Sequence, residues 1–245
     1  MSLEVRGLRV SYGAVKVLDG LDLTVDNGEI VAMIGPNGAG KTTTLNSIAG
    51  LVPRAGEVVL DGAPLPPDPE QVIRRGVALV PQGRRIFPTM TVEENLFMGT
   101  YARGGTWKDA PRRFAPVYEV FPRLAERRRQ VAASLSGGEQ QMLVIGRALL
   151  SEPDVMLIDE LSLGLAPKMV LTLLDTIRTI NAERGTAFLL VEQAATAALS
   201  VASSAYLLRK GEVVYAGSAE RLRADTDLLH EAYLGRRQNT GAVPL

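Results

Sequence analysis

The stretch IVAMIGPNGAGKTT, residues 30–43, runs from five apolar residues straight into the pattern G-x-x-x-x-G-K-[ST]. A short unbroken apolar run reads as a strand buried on both faces, and KTTTLNSIA, closed by Gly50, reads as a helix. Strand, glycine loop and helix in that order form a cradle for phosphate. Within Gly35, Pro36, Asn37, Gly38, Ala39 and Gly40 the glycines let backbone N–H groups curl around the phosphates, and the helix N-terminus adds its dipole. Lys41 is placed to reach the β and γ phosphates and the Thr42 hydroxyl to ligate magnesium, with Thr43 next in the same turn.

Working outward, VALV (77–80), VMLI (155–158) and AFLLV (187–191) are further buried-strand candidates. Their spacing, with helix-like segments between, predicts a mostly parallel α/β sheet. LEVRGLRV and LDLTV, before residue 30, alternate as half-exposed antiparallel strands do, and AYLLRKGEVVYAG (205–217) predicts a hairpin turning at Lys210 and Gly211. Between Gln82 and Ser134 the pattern becomes helical, interrupted by prolines and biased towards arginine, which predicts an inserted helical subdomain at about 84–150. Its ERRR run (126–129) reads as a solvated helix end. The tail 236–245 is expected to be flexible, leaving 1–235 as one domain.

Composition excludes several chemistries. The 27 basic and 27 acidic residues cancel, against the basic excess of a general nucleic-acid binder. There is no cysteine and a single histidine, His230, so thiolate and histidine-based metal clusters lack ligands. No apolar run approaches membrane-spanning length, and MSLEVRGLRV carries charges where a secretory signal needs an apolar stretch, so a soluble, cytosol-facing chain is expected. The chemistry falls to carboxylates, lysine, hydroxyls and backbone. DVMLIDE (154–160) supplies them: a buried strand delivers Asp159 beside the phosphate loop to hold magnesium and aims Glu160 at the γ phosphate, where it polarises water.

LSGGEQ (135–140) is the discriminating element. Ser136 and Glu139 have capping-box spacing, so Gly137 and Gly138 open a helix whose free N–H groups form a second, lysine-free anion site. The order of these motifs resembles the ATP-binding cassette (ABC) family over almost the whole chain, with GPNGAGKTT as Walker A, Gln82 in LVPQG as the Q-loop, LSGGEQ as the signature and LIDE as Walker B. The resemblance implies a P-loop NTPase fold: a RecA-like, mostly parallel core, an antiparallel β subdomain and a helical subdomain. It also implies that Tyr12 stacks on adenine, although a strand aromatic facing the core is the alternative, and that Gln82 serves magnesium and catalysis and, with the helical insert, passes movement to the permeases, unless it merely caps a strand. The signature would close over nucleotide held by a second cassette, identical or related.

GRRIFPTMTVEENL, FPRLAERRRQ, SLGLAP and LLVEQ resemble the F-type ATP-binding subunit of branched-chain amino-acid (Liv) importers. Importers of urea and short amides are close alternatives, and a cassette ATPase outside transport, or an ATP-binding regulator without turnover, is a rival class. The resemblance implies permease partners, a substrate-binding protein and a place on the cytoplasmic face of the membrane. Three residues depart from the general cassette pattern. Leu161 follows the Walker B glutamate in place of proline and is expected to loosen the turn, Ala166 replaces an aspartate, and Gln193 stands where most cassettes place the histidine that bonds the γ phosphate.

Overall fold

The computed structural model describes residues 2–234. From the N-terminus, β1 (Leu3–Tyr12) and β2 (Val15–Val25) pair antiparallel, as their alternation predicts, and β3 (Ile30–Ile34) follows with every residue buried. After α1 (Lys41–Ile48), β4 (Ala55–Leu60) returns to pair with β1, and β5 (Ala63–Pro64) completes a four-stranded sheet in the order β2-β1-β4-β5. The sequence reading passed over β4. Its first three residues are exposed and its last three buried, so it shows neither alternation nor a continuous apolar run.

A helix capped by Asp68, α2 (Pro69–Arg74), leads into β6 (Val77–Val80). Four helices come next: α3 (Val92–Gly99), α4 (Ala110–Val120), α5 (Pro122–Glu126) and α6 (Gly137–Leu149). Leu96, Phe114, Val117 and Leu124 from the first three share one apolar cluster with Leu143 and Val144 of α6. Beyond them lie β7 (Val155–Asp159), α7 (Pro167–Arg184), β8 (Ala187–Glu192), α8 (Ala195–Leu199), β9 (Ser204–Arg209), β10 (Glu212–Ser218), α9 (Ala219–Ala224) and α10 (Thr226–Leu234). The expected flexible tail, 236–245, lies outside the described residues, as does the side chain of His230.

The second sheet has the order β10-β9-β3-β8-β7-β6, parallel from β9 to β6, with β10 turned back antiparallel on β9. Register positions the chemistry: Ile34 pairs with Glu192, and Asp159 with Val191. The carboxyl ends of β3, β7 and β8 therefore stand side by side, the edge where open α/β sheets bind ligands. The β9–β10 hairpin turns at Lys210 and Gly211, both with left-handed φ (50° and 84°). Its tip reaches the phosphate loop, where the Gly211 amide donates to the Ala39 carbonyl at 2.8 Å.

Candidate active site

The phosphate loop spans the gap from β3 to α1. Gly40 is the N-cap of α1 at φ 108°, and a Cβ there would lie 2.6 Å from Leu18 Cδ2, so both conformation and space require glycine. No side chain caps α1, which leaves its first-turn amides facing the loop. Asn37 and Gly38 are exposed at the loop's crest, while Ala39 and Lys41 are buried. The Lys41 ammonium donates to the carbonyls of Gly35 (2.7 Å) and Pro36 (3.2 Å). Burial pushes it below the usual lysine value, against the pull of Glu160, Asp159 and Glu192.

Carboxylates from the two neighbouring strands meet this loop. Thr42 Oγ1 donates to Asp159 Oδ1 at 3.2 Å, and burial pushes the Asp159 carboxyl above the usual value despite that bond. Glu160, one residue on, has a left-handed φ of 51°, held by its amide donating to the Val191 carbonyl at 2.8 Å. Such a conformation is uncommon outside glycine and costs about 1 to 3 kcal/mol, a cost typical of functional positions. Gln82 Nε2 donates to Glu160 Oε2 at 2.6 Å. Lys41, Thr42, Gln82, Asp159 and Glu160 thus converge from distant parts of the sequence. Thr42 and Asp159 offer adjacent hard oxygens that fit a magnesium ion, which takes few protein ligands and completes its shell with phosphate and water. Gln82, expected as a third ligand, points its amide nitrogen at Glu160.

One functional-looking residue escaped the sequence reading. Glu192 is 3 % exposed, and its carboxylate accepts from the Ser162 amide (2.9 Å) and hydroxyl (2.7 Å). Burial pushes its carboxyl up, with both Ser162 bonds opposing. The signal was a carboxylate closing the apolar run AFLLV, the same signature that marks Asp159. Glu192 ties the end of β8 to the loop that follows Glu160. Leu161, in that loop, is 2 % exposed and joins the helical core cluster, so it anchors the turn it was expected to loosen. Gln193 is exposed beside Glu192, and its carbonyl accepts from the Tyr233 hydroxyl at 2.8 Å.

Ala166 is the N-cap of α7, with extended backbone (φ −66°, ψ 144°) and no side-chain cap. Ala166→Asp supplies the missing acceptor and should stabilise the protein by about 1 kcal/mol. Differential scanning calorimetry should then show a rise of about 2 to 4 °C in Tm. An unchanged or lower Tm contradicts the cap.

The signature segment forms the predicted capping box. Ser136 Oγ accepts from the Glu139 amide at 3.4 Å, and Glu139 Oε2 from the Ser136 amide at 2.9 Å. Burial pushes the Glu139 carboxyl up, but the Ser136 amide and hydroxyl, with Arg127, bring it below the usual value. Arg127 Nε lies 2.8 Å from Glu139 Oε1, so one arginine of the ERRR run braces the signature cap and is not merely solvated. A Cβ on Gly137 would meet the Arg84 guanidinium at 3.0 Å, and one on Gly138 would meet the Met169 side chain at 2.6 Å. Gly138 is thereby explained in part by packing of α6 against α7. Among the described residues no hydrogen bond joins 135–140 to 35–43. Tyr12, at the end of β1, is 49 % exposed, which rules out the core-facing alternative.

Comparison with known proteins fits this geometry. A family model described as ABC transporter matches residues 18–162. The chain is 44 % identical over 227 residues to the high-affinity branched-chain amino acid transport ATP-binding protein BraG of Pseudomonas aeruginosa, covering 91 % of this chain and 95 % of that protein. It is 34 % identical to the probable branched-chain amino acid transport ATP-binding protein LivF of Archaeoglobus fulgidus, covering 88 % and 91 %. A crystal structure of the ADP conformation of an ATP-binding cassette of an ABC transporter superposes with a TM-score of 0.83 at 25 % identity, covering 96 % of this chain and 100 % of that one. The chain belongs to the ABC transporter family, whose cassettes bind and hydrolyse ATP to power transport.

Proposed function

We propose that this chain is the ATP-hydrolysing cassette of an importer for branched-chain amino acids. The observation that carries the hydrolytic half is the convergence of Lys41, Thr42, Asp159, Glu160 and Gln82 at the carboxyl edge of the sheet. The likeness to BraG supports the substrate class. In this reading Tyr12 stacks on adenine, the amides of 35–43 and Lys41 hold the phosphates, and Thr42 and Asp159 hold magnesium. That ion would supply positive charge to the phosphate oxygens. Glu160 accepts a proton from the attacking water, and Gln82 orients the carboxylate through the bond between them. Ser136, Gly137, Gly138 and Glu139 serve the nucleotide of an opposed cassette, so binding closes the pair and hydrolysis reopens it.

The unit is one cassette domain over 1–235 with a helical subdomain at about 84–150. Between that subdomain and the sheet lies a groove of about 380 Å³, walled by Leu79, Phe87, Met98, Tyr101 and Val144. Exposed Phe87, Met98 and Tyr101 make it a seat for an apolar segment of a permease. No helix among the described residues is long and apolar enough to cross a membrane, and we place the cassette on the cytoplasmic face through that permease, with a separate binding protein delivering substrate. The test is co-purification with the native permeases and reconstitution into vesicles. ATP-dependent uptake of leucine, isoleucine or valine is expected; uptake confined to urea or short amides overturns the substrate, and no ATP hydrolysis overturns the activity.

Gln193 adds a prediction. Its amide can donate to a phosphate oxygen but carries no charge. Neutral hydrogen bonds contribute about 0.5 to 1.5 kcal/mol and charged ones about 1.5 to 3. Gln193→His should therefore speed hydrolysis by roughly fivefold where the imidazole is charged, and add a pH dependence between about pH 5.5 and 8. Wild type should show no histidine inflection in that range. A wild-type inflection near pH ~6.5 contradicts this assignment.

A further inference from the structure

Beyond the ladder of β3 and β8, whose last registered pair is Ile34 and Glu192, the two chains part: one enters the phosphate loop at Gly35, the other bends at Gln193. One side chain reaches into that gap. Tyr233, near the end of α10, donates its hydroxyl to the Gln193 carbonyl at 2.8 Å. Burial pushes the phenol's pKa up, and the backbone of Gly35 close to the hydroxyl opposes that rise. A phenol hydroxyl has one proton to give and lone pairs to receive, so it can serve both groups at once. The ring is half-buried, and Leu229, one turn earlier on the same face, packs with it on the cluster formed by Ala198, Leu199, Leu207 and Leu222. The hydroxyl is therefore held by the packing of α10 and not by a freely moving side chain.

Resting on the hydrolytic reading above, we infer that Tyr233 is a positioning residue for ATP hydrolysis: its hydroxyl extends the β3–β8 pairing by one rung and sets the backbone of Gln193 against the first glycine of the phosphate loop. The Gln193 side chain then addresses the terminal phosphate from a fixed stem. It follows that the seating of α10 governs turnover, and that anything drawing this helix off the sheet slows hydrolysis without contacting nucleotide.

Tyr233→Phe removes only the hydroxyl and keeps the ring in its seat. In the purified full-length chain, or its permease complex, kcat should fall by about threefold to tenfold while KM for ATP stays within about twofold, the size expected from one hydrogen bond. Amide exchange followed by mass spectrometry should quicken in the peptide covering 193–199, with α10 itself unchanged. Gln193→Ala should lower kcat in the wild-type background and have little further effect in Tyr233→Phe, because the side chain has already lost its fixed stem. Unchanged exchange at 193–199, faster exchange confined to α10, or fully additive losses in the double variant each overturn the inference. Glu160→Gln is run alongside: if it is inactive while Tyr233→Phe behaves as wild type, only the Tyr233 assignment fails, and if Glu160→Gln remains active, the hydrolytic reading itself is wrong.

Discussion

Glu160→Gln should bind ATP as wild type does and lose turnover by roughly a hundredfold or more, the scale of a general base. The amide is close to isosteric and its oxygen can still accept the proton of Gln82 Nε2, so the bond across from the Q-loop survives. The left-handed backbone at φ 51° is as tolerable to glutamine as to glutamate, and folding should be unaffected. Fluorescent-nucleotide binding and steady-state phosphate release measure the two halves separately. With ATP in excess the variant should also accumulate as a closed dimer in size-exclusion chromatography. Hydrolysis at a near wild-type rate sinks the assignment of Glu160.

Gly137→Asp should leave the isolated chain's ATP affinity within about twofold and abolish ATP-driven dimerisation in the Glu160→Gln background. The reasons are steric and electrostatic. The new Cβ would stand 3.0 Å from the Arg84 guanidinium, so the carboxylate pairs with Arg84 and lies across the amides that open α6. An acidic residue in the first turn suits the helix dipole, and the fold should not suffer. What is lost is the approach of a phosphate, repelled by a charge of its own sign. A drop in the monomer's ATP affinity would instead mean that this segment covers the chain's own nucleotide, and the arrangement across two cassettes would be wrong.

The parts of this site that were legible beforehand are those whose chemistry is written in contiguous residues. The phosphate loop, the Asp159–Glu160 pair and the Ser136–Glu139 capping box each have local spacing that constrains the backbone, and the structure realises each one. Strands β3, β6, β7 and β8 were visible because burial on both faces leaves an unbroken apolar run. What was missed depends on partners distant in sequence. The exposed half of β4 hides a strand whose other half is core. Glu192 looked like the residue after a strand until its pairing with Ile34 placed it inside the sheet. The approach of Arg84 to Gly137 joins residues 53 positions apart, and the Tyr233 bond to Gln193 spans 40. Periodicity carries no information about such pairs, because they are decided by where the chain returns and not by what surrounds each residue in sequence. Leu161 was misjudged for the same reason: the core that receives it is built by α3 to α7.

The hairpin between β9 and β10 has a consequence for anyone who engineers this protein. Exposed hairpin tips usually accept tags, inserted reporter domains or new chain termini with little effect. Here Lys210 is exposed but Gly211 beside it is buried, its amide bonded to Ala39 and its Cα so close to β2 that a Cβ would lie 2.1 Å from the Val17 carbonyl. A fluorescent domain spliced into this turn, or a circular permutation opened there, would loosen the far wall of the phosphate loop. A hairpin turn that looks permissive is therefore one from which a graft would reach the nucleotide.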